Sequence, residues 1–423
     1  MAENKNLKST KELILDTAFS FLEEPGYSSF SMNELAAKVG VTKPAIYRHF
    51  NGKDALLDAM EDRVIDNLSF YLKDIGNEKL ELVEKSLKNL IEYFIENPTH
   101  INYLIAQMSS NPNYEEKIFS KLYERKIPFV MEKMRVSGNS DYLYNFKNDI
   151  EIFVRHVFSG MTIFFFVKVQ ERLRLDGGLN ATPENFAEKI VRLMISGIRG
   201  TTKDSDALYP EEISKERQKE LIKFCKIDAK TFPEENRIFT ALAKTIEKYK
   251  IPGVTVERIA NELGMAKSSL YEYFDNKNQM IRTLIGKELN LLQTIVNENS
   301  VEAKNFTEYI VIVLSSELEY FMKRPSIIPI CGWLLMTREN FSKENPENCE
   351  NEFEFSPWES RFPDRVTAPD LGFPYKPEVL TGWIKCLPIS FLVEAKGKNL
   401  TEEKRMEGFM LMINYILNGI GGK

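Results

Sequence analysis

Residues Phe30 to Lys53 read FSMNELAAKVGVTKPAIYRHFNGK, and residues Val254 to Lys277 read VTVERIANELGMAKSSLYEYFDNK. Aligned without gaps, the two share Ala36/Ala260, Gly40/Gly264, Lys43/Lys267, Tyr47/Tyr271, Phe50/Phe274 and Lys53/Lys277, and the larger apolar positions Phe30/Val254, Met32/Val256, Leu35/Ile259, Val39/Leu263, Val41/Met265 and Ile46/Leu270 exchange for apolar residues. In the first copy Leu35, Ala36 and Val39 recur at helical spacing, Gly40 interrupts them, and Val41, Ile46 and Phe50 begin a second stripe. Two short helices meeting at a glycine turn account for this pattern. A unit repeated half a chain apart predicts an all-α protein with two similar halves of about 200 residues each.

The flanks of the first copy extend the same reading. Lys11 to Leu22 sets Leu15, Ala18, Phe19 and Leu22 on one side of a helix that Pro25-Gly26 ends. Ser31 with Glu34 three residues on predicts a capping box at the start of the next helix. Thr42 is placed to cap the third helix, where Pro44 is tolerated because first-turn amides lack helical acceptors. Asn51-Gly52 then turns the chain into a fourth helix beginning near Lys53.

Charge is distributed unevenly. The chain as a whole carries a formal charge of −6, yet Lys38 to Lys53 holds Lys38, Lys43, Arg48 and Lys53 with no carboxylate. An acidic body with one positive tip confines nucleic-acid contact to a single face.

These residues carry a family resemblance. The order apolar helix, short turn, Ser31-x-x-Glu34-Leu35-Ala36, Gly40-Val41, Lys43-x-x-Ile46-Tyr47-x-x-Phe50 and Lys53-x-x-Leu56-Leu57 resembles the head of TetR-type (tetracycline-repressor-like) transcriptional regulators. The resemblance implies an all-helical fold, a helix-turn-helix head that binds double-stranded DNA, and a larger body that binds a small ligand and dimerises through its last two helices. It carries DNA contact to Thr42, Lys43, Pro44, Ala45, Tyr47, Arg48, His49 and Lys53, and by alignment to Lys267, Ser268, Ser269, Tyr271, Tyr273 and Lys277. With Ile46 and Phe50 inward, Thr42, Lys43, Ala45, Tyr47, Arg48 and His49 are expected to face outward, and Lys53 would hold a phosphate at a helix N-terminus. Thr42 becomes Ala266 and Arg48 becomes Glu272, so Glu262 to Lys277 has two lysines against three carboxylates. The second head is therefore expected to bind DNA more weakly or at a different half-site.

The rest of the chain divides as first head 1–55, first body 56–200, linker 201–233, second head 234–279 and second body 280–423. Breaks fall at Asn97-Pro98 and Asn111-Pro112. Asp149 to Leu173, apolar nearly all round, and Pro183 to Ile198 close the first half, while Val379 to Ala395 and Thr401 to Ile420 close the second. A helix greasy on most sides needs burial outside its own bundle. The four segments are therefore expected to form one bundle, an intrachain pseudo-dimer on an imperfect palindrome, with a homodimer of chains as the alternative. The linker reads as a solvated spacer, the helix after it as opening at Pro233-Glu234-Glu235, and 340–377 as an irregular, aromatic-rich flap.

Phe94, Tyr103, Met108, Phe119, Tyr123, Phe129, Met131, Phe153 and Met161 are candidates for an apolar ligand pocket, though ordinary core burial explains each singly. Cys225, Cys331, Cys349 and Cys386 are too widely spaced for a zinc knuckle or a CxxC pair, and His49, His100 and His156 do not cluster, so no metal or other cofactor is expected. No Gly-rich phosphate loop or nucleophile-base-orienter spacing points to an enzyme. The N-terminus is polar, and the longest apolar run, Met161 to Val167, falls short of a membrane span, which predicts a cytoplasmic protein. The competing reading is a ligand- or protein-binding helical module whose heads no longer engage DNA.

Overall fold

A computed structural model of the 423-residue chain describes residues 9–23, 30–72, 80–110, 114–127, 149–175, 185–201, 213–228, 232–249, 254–272, 274–330 and 377–421. Regular structure among them is entirely helical. The flap expected at 340–377 lies outside the described residues apart from Pro377, as do Phe129 and Met131. The chain separates into two compact units at Asn145/Phe146, and the halves read from sequence at residue 200 are not those units. The first half's closing helices belong with the second half, because their apolar faces are buried there.

The first unit opens with α1 (Thr10–Ser20), whose start is fixed by a reciprocal box: Ser9 Oγ accepts from Glu12 N–H while Glu12 accepts from Ser9 N–H. A 3-10 turn, Phe21–Glu23, extends it. Helix α2 (Met32–Val39) begins with the expected Ser31/Glu34 box and ends at Gly40, whose φ of 80° is left-handed. Short α3 (Lys43–Tyr47) and long α4 (Lys53–Leu72) follow. Ile14, Leu15, Ala18 and Phe19 are buried, as are Leu35, Ala36, Ile46, Phe50 and Leu56, which gives the three-helix head its own core.

Helices α5 (Leu80–Glu96), α6 (Pro98–Ser110) and α7 (Tyr114–Glu124) complete this unit. Head and body meet where Asn102 Nδ2 donates to the Leu22 carbonyl at 3.2 Å, Arg63 pairs with Asp16, and the Phe19 ring lies 4.3 Å from that of His100. Helix α7 is held to α4 by Lys117 and Lys121 on buried Glu61, Lys121 and Arg125 on Asp62, and Arg125 on Asp66. Burial alone would raise the Glu61 pKa, but hydrogen bonds from Lys117, Lys121 and Tyr114 outweigh it and hold it below the usual carboxylate value.

In the second unit, α8 (Ile150–Leu175) and α9 (Phe186–Thr201) precede a connecting helix, α10 (Lys215–Phe224). The second head comprises α11 (Arg237–Tyr249), α12 (Val256–Leu263) and α13 (Lys267–Tyr271), and the second body α14 (Lys277–Ser300), α15 (Phe306–Lys323), α16 (Pro377–Gly397) and α17 (Glu402–Asn418).

Helices α8, α9, α16 and α17 pack as one bundle. Trp383, fully buried on α16, donates its indole N–H to Thr162 Oγ1 on α8 at 3.0 Å. The Phe153 ring lies 5.8 Å from Phe391, and Phe158 lies 5.7 Å from Tyr415. At a non-helical kink inside α9, Gly197 (φ 62°, ψ −171°) lies against Gly419 (φ 72°, ψ 178°), which caps α17. A Cβ on either would overlap the other segment's backbone, and Ile420 and Gly421 N–H donate to the Met194 and Ile195 carbonyls at 2.9 Å. The kink and the helix end, matching positions of the repeat, thus cross at a point only glycine permits.

Three expectations need correction. The connection is no solvated spacer: Leu221 and Cys225 of the α10 segment are buried, Arg217 pairs through two nitrogens with Glu308 at 2.8 and 3.0 Å, and Lys226 pairs with Glu319, both carboxylates on α15. Covered by α10 on one side, α15 is buried at every residue from Phe306 to Phe321. The helix after it opens at Arg237 rather than Pro233, because Asn236 Oδ1 accepts from Ile238 N–H and the Pro233 carbonyl is taken by Arg324. Counting uninterrupted apolar residues also understated α8: Ile150–Glu171 is long and apolar enough for a bilayer, with a mean hydropathy of 1.6. Its apolar length is taken up by the bundle, where Phe153, Val154, Val157 and Phe158 are all buried.

Candidate nucleic-acid interface

Helix α3 is short because its task is to present a few side chains. Ile46 is fully buried and Phe50 nearly so, which anchors the helix and turns its opposite side to solvent. Thr42, Lys43, Pro44, Tyr47, Arg48 and His49 are exposed, Ala45 is half-buried, and the Lys43 ammonium lies 5.9 Å from the Tyr47 ring centroid. Thr42 occupies the N-cap position in extended conformation, but its hydroxyl makes no capping hydrogen bond. The expected cap is absent, and that hydroxyl points to solvent as a donor.

Lys53 also serves the fold. Its ammonium donates to the Phe30 carbonyl at 2.6 Å and lies 5.3 Å from the Phe30 ring, so it ties the entry of α2 to the start of α4. Two further N–H bonds on the ammonium remain for a phosphate. Gly52 precedes α4 with φ 102° and has no side chain to occupy the first-turn amides.

The second head repeats the frame. Leu270 is buried where Ile46 is, Gly264 ends α12 at φ 67°, and Lys267 lies 5.8 Å from the Tyr271 ring; Tyr47 and Tyr271 are each 44 % exposed. Lys267, Ser268 and Tyr271 are exposed and Ser269 half-buried, whereas Tyr273 and the side chain of Lys277 lie outside the described residues. Glu272 is exposed at the position of Arg48. Arg258 replaces Glu34, leaving Thr255 as a cap with no reciprocal partner, and Asn276 replaces Gly52 with its Oδ1 already accepting from Gln279 N–H at 2.9 Å.

The pocket candidates fall in both units. Phe94 and Tyr103 are core residues of the first unit, where Tyr103 donates to the Leu57 carbonyl at 3.2 Å; Tyr123 is 41 % exposed. Phe153, under the Lys398 ammonium, and Met161 belong to the α8 bundle of the other unit. The side chains of Met108 and Phe119 lie outside the described residues.

Two features of the site escaped the sequence reading. The bodies carry their own repeat, Ile91-Glu92-Tyr93-Phe94-Ile95-Glu96-Asn97-Pro98 against Leu318-Glu319-Tyr320-Phe321-Met322-Lys323-Arg324-Pro325, which extending the ungapped comparison past the heads would have found with a three-residue shift. Both tyrosines are buried beside their heads: Tyr93 OH meets His100 Nδ1 at 2.7 Å, and Tyr320 OH donates to Glu288. The second feature is the exchange of Gly52 for Asn276, visible in sequence but without meaning until the cap is seen.

Two exposed, shallow recognition helices on three-helix heads define a double helix-turn-helix protein. The family model described as bacterial regulatory proteins, tetR family, matches residues 14–60 and again 238–284. The chain thus carries that family's head domain twice. It is 24% identical over 123 residues to an HTH-type transcriptional regulator of Staphylococcus aureus strain USA300, a match covering 28% of this chain and 66% of that protein. It is 35% identical over 79 residues to the uncharacterised HTH-type transcriptional regulator YvaF of Bacillus subtilis strain 168, covering 18% of this chain and 41% of that one. The chain thus spans just under two thirds of the first relative's length and less than half of the second's.

Proposed function

We propose that this protein is a cytoplasmic transcriptional repressor that reads an imperfect palindrome with two unequal heads from one chain and is released by a small apolar ligand. The observation that carries the reading is the outward face of α3: Thr42, Lys43, Arg48 and His49 exposed together beside Tyr47, with no carboxylate from Lys38 to Lys53. Thr42 and Tyr47 hold the backbone, Lys43 and Arg48 supply the charge, and Pro44 and Ala45 offer apolar contact to thymine methyls. The crossing of Gly197 and Gly419 supports the one-chain assembly, since a bundle closed within the chain supplies what two subunits otherwise share. A ligand would act by preferring one spacing of the heads, and its effect is bounded by that preference.

Glu272 at the second head's contact face favours unequal grip. Fluorescence anisotropy on DNA from upstream of its own gene tests the reading. Arg48→Glu should weaken binding about a hundredfold at low salt, while Glu272→Arg should strengthen it and steepen the salt dependence by about one unit. Loss of neither would favour the competing module without DNA contact. Sedimentation of the free protein as a strict dimer would remove the one-chain assembly.

A further inference from the structure

We infer that Arg324 is a positioning residue for the second head, fastening the segment that enters it to body helices α14 and α15; this rests on reading that head as part of a DNA-binding device. Arg324, 5 % exposed, faces three partners at once. Its Nε donates to Glu288 Oε2 on α14 at 3.1 Å, its Nη2 donates to the Pro233 carbonyl, and its guanidinium lies 4.5 Å from the Phe232 ring centroid. Phe232 in turn stands edge-on to Tyr320 at 5.6 Å, and Tyr320 OH donates to the Glu288 carbonyl at 2.9 Å.

The fastening continues into the head. Ser326 donates to Glu235, which also accepts from Thr240 Oγ1 at 2.8 Å, and Thr240 belongs to the first turns of α11. Upstream, α10 is docked along α15 by Arg217 on Glu308 and Lys226 on Glu319. From α10 to α11 the chain is therefore gripped at successive points by one body helix and the turn after it. A buried ion pair adds little net stability, but its fixed fork geometry admits few alternative arrangements. That makes Arg324 suited to setting where a head stands rather than to holding the fold together.

The first copy does not have this device. In the motif shared by the bodies, Asn97 stands where Arg324 does, and its Nδ2 donates to the Tyr93 carbonyl at 3.0 Å, within its own helix end. The charged grip at this position belongs to the second copy.

Hydrogen exchange on the full chain tests the assignment with two variants: Phe232→Leu, which removes the ring contact alone, and Glu288→Gln with Arg324→Met, which strands no buried charge. Exchange in 237–249 and 256–263 should accelerate at least about tenfold while α8, α9 and the first head are unchanged. Arg324→Lys should also exchange faster there than the parent, because a lysine lacks the planar fork that meets Glu288 and Pro233 while lying against the Phe232 ring. Unchanged exchange in 237–263, or acceleration by one factor throughout the second unit, would overturn the positioning role. The DNA titration of Arg48→Glu is independent of this readout, so its failure would remove the DNA reading and leave the fastening in place.

Discussion

The two heads share a frame and differ in what the frame presents. Inward positions are interchangeable in kind: Ile46 and Leu270 are both buried, and Gly40 and Gly264 end the preceding helix in the same left-handed conformation. Outward and terminal positions are not: Glu272 aligns with Arg48, Ala266 with Thr42, and a self-satisfied Asn276 with Gly52. Packing limits the first set, because a core tolerates few shapes. The exposed side chains of the second set are not limited by core packing, and there the copies diverge.

The largest expected effect comes from the place where the copies are most alike. Gly197 and Gly419 sit at matching positions with matching backbone angles, in a region of conformational space essentially reserved for glycine. Gly197→Ala and Gly419→Ala should each cost roughly 3 kcal/mol or more, from backbone strain plus overlap with the opposing segment. Urea unfolding measures it. Similar losses sharpen the symmetry between the copies; a loss in one alone would break it.

A smaller effect separates the bodies. Burial, with Arg63 nearby, pushes His100 down from 6.5 to about 4, while Ile327 follows Pro325 in the second copy as His100 follows Pro98 in the first. Since the folded pKa lies below the unfolded one, the unfolded chain takes up this proton first. Stability from this group is intact above pH 6.5, falls by roughly 3 kcal/mol on descending to about pH 4, and changes no further below. His100→Gln, which cannot charge, should flatten that part of the pH profile of unfolding. An unchanged slope would place His100 in a solvated setting.

Much of this organisation was legible before any coordinates. The Ser31/Glu34 box, the glycine turns and the pairing of four apolar helices follow from local chemistry and from the need of a greasy helix for company. What was not legible depends on partners distant in the chain. The polar connecting helix looked solvated because Arg217 and Lys226 find Glu308 and Glu319 some ninety residues on. Lys53 read as a phosphate ligand, with nothing in sequence to show the Phe30 carbonyl 2.6 Å away. The pocket candidates were chosen by residue type, which cannot distinguish α8 facing its bundle from α8 facing a ligand.

The smallest predicted effects concern Ser31 and Thr42, which look alike in sequence and differ in structure. Ser31 Oγ accepts from Glu34 N–H at 3.2 Å, and Glu34 returns the bond to Ser31 N–H at 2.7 Å. Ser31→Ala should therefore cost about 1 kcal/mol of stability. Thr255→Ala should cost less, because Arg258 replaces the returning glutamate. Thr42 makes no capping bond, so Thr42→Ala should leave the melting temperature within about 0.5 kcal/mol of the parent in equivalent free energy. The same substitution should still weaken DNA binding by removing one backbone donor, and Ala266→Thr should add one to the second head. A Thr42→Ala protein that melts early but binds DNA normally would reverse the assignment, making the hydroxyl part of the fold and leaving the first head's advantage to Arg48.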